Sequence, residues 1–455
     1  MTTSSATAWS EAGSERGPKM PVFRSPRPAA AGLLALLALA GCLPSFHRDA
    51  EPATMRNFSP SDPALATPAQ DGSAIIDALR TRQTVLPPGG TYARIADAVL
   101  NASSGAAEAE LRMARLKAEA QSKNWLPSIG PTVSLTSLGS VVAQLVVEQA
   151  ILDNGRRKAE RDHAAADVEV AAVMLVEDLN GRVHDGLAAY VNAQRAQAQA
   201  GVAERATMRL MGFEDTVNLR VQGGLSDRSE QQVIAQKRAE MQATMAADRQ
   251  SAQQFMQELA TLTRQPMDGL AGLDPLPADP GAPEALSVLQ SRADGARTLA
   301  QAKMARAGLL PGLSAAVGLD QEGEVTPGLT LGGAKFGMGT AAQARALDAA
   351  PDLVERQTAQ AVEDANRRLI GLNSDLSALQ LRQAQGAEVL RQTLGNLDLF
   401  SEQYKLGRRS LLELVGQYDS AARLERDQVS LTYDIALVQL RIAETRGLLV
   451  DGARM

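Results

Sequence analysis

The stretch Leu126-Pro127-Ser128-Ile129-Gly130-Pro131-Thr132-Val133-Ser134-Leu135 recurs 184 residues later as Leu310-Pro311-Gly312-Leu313-Ser314-Ala315-Ala316-Val317-Gly318-Leu319. Leu152-Asp153-Asn154-Gly155-Arg156 matches Phe336-Gly337-Met338-Gly339-Thr340 at the same offset, and Arg220 to Glu230 matches Gln403 to Glu413 at an offset of 183. Each match alone is weak. Three in order at nearly constant spacing mark two structural repeats, roughly Gly90 to Pro266 and Pro283 to Gly447.

Within each repeat the residues predict a helix, a short β stretch and one very long helix. Ile129 to Leu138 and Val141 to Leu152, around Gly139, are β-rich, and their partners are Leu313 to Leu319 and Val325 to Lys335, around Gln321-Glu322-Gly323-Glu324. These segments are about as long as a transmembrane β-strand, which needs ~9–11 tilted residues. Two hairpins make four strands, too few to close a barrel, so a sheet of this kind in a membrane has to be shared by several chains.

From Gly155 to Gly224 and from Gly339 to Gly407, Pro351 is the only proline. A continuous helix of either length extends on the order of 100 Å at 1.5 Å per residue. Apolar residues recur at three- and four-residue steps: Val176, Leu179, Val183, Leu187 and Tyr190 in the first run, Leu390, Leu394 and Leu397 in the second, and Leu431, Ile435, Val438 and Ile442 near the C-terminus. Narrow, alanine-flanked stripes favour coiled-coil packing. Gly224 and Gly407 supply the left-handed backbone of a tight helix–helix turn. The expected result is two long antiparallel hairpins with both tips at one end and both β-hairpins at the other.

The composition agrees with long helices. Only 3% of the 455 residues are aromatic, and the formal net charge is −6, which argues against nucleic acid as a partner. Leu33 to Gly41 is an apolar run ending in small residues before Cys42, the one cysteine, and Arg16, Lys19, Arg24 and Arg27 lie upstream. Such an arrangement is an export signal with a lipobox, and it predicts cleavage after Gly41 and acylation of Cys42. The removed segment carries four basic and two acidic residues, so the mature chain is more acidic still. Residues 42–72, rich in Pro, Ser, Ala and Thr, read as a lipidated tether. The chain thus divides into 1–41 signal peptide, 42–72 tether, 73–282 first repeat, and 283–455 second repeat with a C-terminal tail.

The Leu-Pro before each strand pair, Leu152-Asp153-Asn154-Gly155-Arg156-Arg157, Gly224-Leu225-Ser226, and Tyr404-Lys405-Leu406-Gly407-Arg408-Arg409-Ser410-Leu411-Leu412-Glu413-Leu414 together resemble the TolC-like outer-membrane efflux proteins, over about Ser73 to Gly447. The resemblance implies a mainly α fold of long coiled-coil hairpins in two tandem repeats. It implies a homotrimer whose twelve strands form a transmembrane β-barrel continued by a twelve-helix α-barrel in the periplasm. It also implies docking of the tips (Gly224, Leu225, Ser226, Gly407, Arg408, Arg409) to a periplasmic adaptor and an inner-membrane pump, and Leu43 after Cys42 favours the outer membrane. The implied function is the exit duct of a tripartite efflux or type I secretion system. Family members often carry acids six and nine positions after the second tip glycine; here Glu413 fills the first place and Gly416 the second. Glu230 and Glu413, with Arg409 pairing to an acid of a neighbouring hairpin, are the candidate entrance gate. The strands lack the usual aromatic girdle, with Trp125 and Phe336 at their edges.

Other features read as structural. Gly332 to Thr340 lacks the third glycine of a dinucleotide fingerprint and no βαβ unit follows, so it reads as a strand-to-helix turn. His47, His163 and His184 share no metal-ligand spacing. Arg156-Arg157-Lys158 and Arg408-Arg409 are short basic groups, either solvated or in contact with an acidic neighbour. No nucleophile–base pair stands on a defined scaffold, so neither catalysis nor a cofactor is expected beyond the lipid on Cys42. Two other readings of the helices stay open: a lipid-anchored periplasmic adaptor, whose single hairpin is inserted in β domains, and a structural periplasmic coiled coil whose β segments only cap the helices.

Overall fold

The computed structural model describes residues 73–136, 140–277, 283–319, 323–332 and 337–455, all within the unit Thr67–Met455. The expected signal peptide, Cys42 and the tether lie outside the described residues, as do Gly139 and Phe336.

Two short helices, α1 (Ala74–Arg80) and α2 (Thr91–Ala102), precede α3 (Ala106–Ser122). The chain then forms β1 (Ser128–Thr136) and β2 (Ser140–Leu152), the 67-residue α4 (Arg156–Gln222), and α5 (Arg228–Thr263). After a loop come α6 (Leu286–Ala307), β3 (Gly312–Leu319) and β4 (Val325–Gly332). The last helices are α7 (Thr340–Asp348), α8 (Ala350–Lys405) and α9 (Leu411–Thr445), followed by a 3-10 turn at Gly452–Arg454. The order helix, hairpin, long helix, shorter helix therefore occurs twice.

The second long run departs from expectation, because it is two helices divided at Ala349. Pro351 is the cause: it has no N–H for the carbonyl of Leu347, and its ring crowds that carbonyl. The expected far ends of β1 and β4, residues 137–138 and 333–335, lie outside the described residues.

All four strands form one antiparallel sheet in the order β1-β2-β3-β4, so the two hairpins join through β2 and β3. A bulge between Ala150 and Leu152 leaves Ile151 unpaired. At the foot of the sheet, Asn154 Nδ2 donates to the Pro311 carbonyl at 2.9 Å and ties the two strand–helix turns together.

The main core lies along the middle of α4. Val176, Leu179, Val183, Leu187 and Tyr190, the stripe expected from the spacing, are buried there against Leu79, Tyr92 and Ile95 of the N-terminal helices and Leu440 and Leu449 near the C-terminus. Each such leucine stabilises by ~1.5–3 kcal/mol. Polar groups fasten this belt. Arg82 donates to the carbonyls of Arg446 (2.5 Å) and Glu284 (2.7 Å), and the Asn180 amide oxygen accepts from Leu449 N–H at 2.9 Å. Tyr190 donates its hydroxyl to the Gly272 carbonyl at 2.7 Å, and burial, with Asp274 and Tyr433 nearby, pushes that hydroxyl up to about 12.

A second core sits between the ends of the long helices. Leu210, Phe213 and Val217 of α4 meet Ile234 and Met241 of α5 and Leu411, Leu414 and Val415 of α9, with Leu397, Phe400 and Tyr404 of α8 packed on its margin. Arg220 Nη1 lies 3.3 Å from the Tyr404 hydroxyl, so the last turns of α4 and α8 end side by side.

Candidate functional site: the exposed sheet and the helical tips

Pairing in the sheet sorts its side chains by chemistry. Residues directly opposite one another in an antiparallel pair share a face. The register sets Ile129, Pro131 and Val133 of β1 against Val147, Leu145 and Ala143 of β2, and then Leu145 and Val147 against Leu319 and Val317 of β3. On the same face Leu313, Ala315, Val317 and Leu319 pair with Leu331, Leu329, Pro327 and Val325 of β4. The opposite face carries Ser128, Gly130, Thr132, Gln144, Val146, Glu148, Ser314, Ala316, Gly318, Thr326, Gly328 and Thr330. One face is thus apolar and the other mostly small or polar, with Gln149 the exception on the first and Val146 on the second.

The apolar face is not covered by any of the described residues. Leu329 is 72% exposed and Leu331 74%, and every residue of β4 is exposed. β1 and β4 are each paired on one side only. Among the described strand residues Glu148 is the single charged one, and it lies on the small, polar face. The sequence reading missed this segregation, although the two-residue alternation was visible in Val325-Thr326-Pro327-Gly328-Leu329-Thr330-Leu331-Gly332.

A second uncovered surface runs along α8, where Ala365 and Leu376 are the buried residues of a 56-residue helix. Ile370, Leu381, Leu399 and Leu406 are exposed at spacings of 11, 18 and 7 residues, which brings them to one stripe of the helix. Of the expected seam, Leu390 and Leu397 are half-buried and Leu394 is exposed. No described helix is long and apolar enough to cross a membrane.

At the first tip, Gly224 (φ +71°) ends α4, and Leu225 N–H reaches back to the Arg220 carbonyl at 2.8 Å. Asp227 then caps α5, accepting from the N–H groups of Ser229 (2.8 Å) and Glu230 (3.0 Å). The Ser229 hydroxyl and the Glu230 N–H hold the Asp227 carboxyl below its ordinary range. Glu230 accepts from the Ser226 hydroxyl across the turn, and Leu225 is exposed.

The second tip repeats the geometry with different chemistry. Gly407 (φ +69°) reverses the chain, and Arg408 N–H donates to the Gln403 carbonyl at 2.9 Å. Ser410 and Glu413 form a capping box, each side chain accepting from the other's N–H at 3.2 Å. Arg409 lies 4.9 Å from the centre of the Phe400 ring, donates to Gln403 Oε1 at 3.0 Å, and approaches Glu413 of its own chain at 3.8 Å. Within one chain, therefore, Glu413 is committed to starting α9 and Arg409 to Phe400 and Gln403.

Nothing lies within 4 Å of a Cβ built at Gly224 or Gly407, so a side chain there meets only backbone strain. Ala at either position is expected to cost about 1–2 kcal/mol, the penalty of the left-handed region for an L-residue. Thermal melts of Gly224→Ala and Gly407→Ala test this, with the Asn variants expected to fall between Ala and Gly.

No known family model matches the sequence, and no curated protein matches it. Solved structures do. A membrane protein from Pseudomonas aeruginosa superposes with a TM-score of 0.70 over 88% of this chain and 98% of its own, at 15% identity. The outer-membrane channel OprN gives 0.67 over 81% and 93%, at 18% identity. The outer-membrane protein VceC of Vibrio cholerae gives 0.66 over 79% and 96%, at 16% identity. The chain therefore has the fold of these outer-membrane channels.

Proposed function

We propose that this protein is the outer-membrane exit duct of an efflux or type I secretion machine, assembled as a homotrimer. The observation that carries this reading is the bare apolar face of a four-stranded sheet with two unpaired edges. In lipid every unsatisfied backbone group costs several kcal/mol, so such a sheet is stable only when closed, and three copies supply twelve strands. The apolar face then meets lipid and the Ser, Thr and Gly face lines the lumen. The stripe on α8 is covered by a neighbouring subunit in a twelve-helix tube. In this reading residues 73–282 and 283–455 are tandem repeats, and the tips at Gly224, Leu225, Ser226, Gly407, Arg408 and Arg409 dock a periplasmic adaptor that links the tube to an inner-membrane pump. Native mass spectrometry in mild detergent tests the assembly: a trimer is expected, and a stable monomer overturns the reading.

Glu230, Glu413 and Arg409 form the entrance in this scheme, three copies of each around the axis. Arg409→Ala is expected to raise opening frequency in planar bilayers, because it frees the loop held to Phe400 and Gln403. Glu413→Gln is expected to lower cation preference without unfolding, since glutamine still completes the capping box. Unchanged conductance in both variants leaves the tips as docking surface only.

Cys42 is the proposed lipid anchor. Cys42→Ser is expected to accumulate as a precursor heavier by residues 1–41, while the wild-type mature protein carries acyl chains on Cys42 by mass spectrometry. Wild-type protein that retains residues 1–41 and carries no lipid refutes the anchor.

A further inference from the structure

At the foot of the sheet a groove of about 330 Å³ opens between the start of α4 and the end of α6. Asn154, Lys158, Lys303, Arg306 and Leu310 line it, and Asp162 is the one acid in its wall. Arg306 is paired with Asp348, but Lys158 and Lys303 have no ion-pair or hydrogen-bond partner among the described residues. Two exposed lysines from different helices therefore line one cleft with no ion-pair partner among the described residues.

The position of Lys158 is electrostatically unfavourable in the isolated chain. Arg156, Arg157 and Lys158 open α4 with no acid in its first turn, at the helix end where the backbone dipole already repels cations. Arg156 is relieved by Glu160 at 3.0 Å, and Arg157 donates to the Asn124 carbonyl. Lys158 has no such relief, and an anion entering the groove supplies it.

Two observations say which anion. Exposed Leu310 lines the groove, and Leu152, exposed two residues before the groove's Asn154, pairs with Leu313 on the apolar face of the sheet. Lys158 also begins the four-and-three row Asp162, Ala165, Glu169, Ala172, Val176, Leu179, Val183, whose last members are buried in the core shared with α1 and α2. It thus lies on the side of α4 that α1 and α2 cover further along the helix.

We infer that this groove binds the phosphate of an anionic phospholipid at the periplasmic leaflet, with an acyl chain running over Leu310 and Leu152. The inference rests on the channel reading, which sets the foot of the sheet at headgroup level. It commits to a lipid and not to a soluble phosphate because Leu310 stands beside the cations in the groove and the apolar sheet face begins at Leu152 next to it in the chain.

The test is native mass spectrometry of the full protein with dioleoylphosphatidylglycerol or dioleoylphosphatidylcholine added to the detergent. Retention of phosphatidylglycerol is expected to exceed that of phosphatidylcholine by roughly thirtyfold, the scale of two lysines at one anionic headgroup. Lys158→Gln/Lys303→Gln is expected to abolish the preference, and Arg228→Gln, at the far tip, to keep it. Equal retention of the two lipids, or a preference that survives the double substitution, overturns the inference. Retention of glycerol 1-phosphate as strong as that of phosphatidylglycerol overturns the assignment to a lipid. A trimer with no preference refutes the groove alone, whereas a monomer refutes the channel.

Discussion

Leu329→Arg is expected to keep this protein out of the outer membrane, whereas Thr330→Arg, one residue along the same strand, is expected to leave it there. Leu329 pairs with Ala315 on the apolar face and Thr330 with Ser314 on the other. An arginine on the lipid face near the bilayer midplane costs ~2–4 kcal/mol, and a trimer carries three. The sum is comparable to the whole stability of an ordinary domain. On the other face, which lines the lumen in the proposed trimer, the same side chain stays in water and costs little. The readout is the amount of heat-modifiable trimer in the outer-membrane fraction. Equal insertion of the two variants would show that the faces are assigned wrongly or that the sheet does not enter lipid.

The second large effect lies between the belt and the tips, at one of the ion pairs that join α5 and α9. Arg426 donates to both oxygens of Asp248, at 3.0 and 2.5 Å, and the carboxylate is almost fully enclosed. That carboxylate pushes the Arg426 guanidinium up from its ordinary value. Removing one partner leaves the other charge poorly solvated, which costs about 3–5 kcal/mol for a fully buried pair. Because Arg426 keeps some solvent, about 2–3 kcal/mol is the expected loss for Asp248→Ala. A double-mutant cycle with Asp248→Leu and Arg426→Leu separates the pair from its surroundings. The double variant is expected to be less destabilised than the sum of the singles, by equilibrium or kinetic denaturation. Additive single effects would mean that the pair contributes nothing as a pair.

The helices were legible because their signal is local. The α4 stripe from Val176 to Tyr190 is a three-and-four spacing that any long amphipathic helix shows, and the same residues form the main core. The tip glycines were legible for a similar reason: Gly224 and Gly407 take positive φ because a tight reversal after a helix demands it, whatever packs around them. Pro351 was visible too, but the division of the second run at Ala349 was not expected. Its effect depends on whether neighbouring contacts hold a helix through a missing hydrogen bond, and α7 has no buried residue to do so. At the gate, Glu413 was read by its distance from Gly407, while its bond to Ser410 N–H depends on the turn between them.

By itself, the sequence determined the element order, the long helices, the two reversals and the presence of two hairpins, since each depends on the chain's own periodicity and on residues within a turn or two. It also carries the expectation of an export signal ahead of Cys42. Only the tertiary structure decided that the two hairpins join through β2 and β3 into one sheet, because pairing between strands more than 150 residues apart is chosen by register and not by local propensity. That register segregates Leu313, Val317, Leu329 and Leu331 from Ser314, Thr326 and Thr330, and it turns four ordinary strands into a surface that water does not suit. The same holds for Lys158 and Lys303: 145 positions apart in the chain, they become one cationic cleft because α4 and α6 pack side by side beneath that sheet.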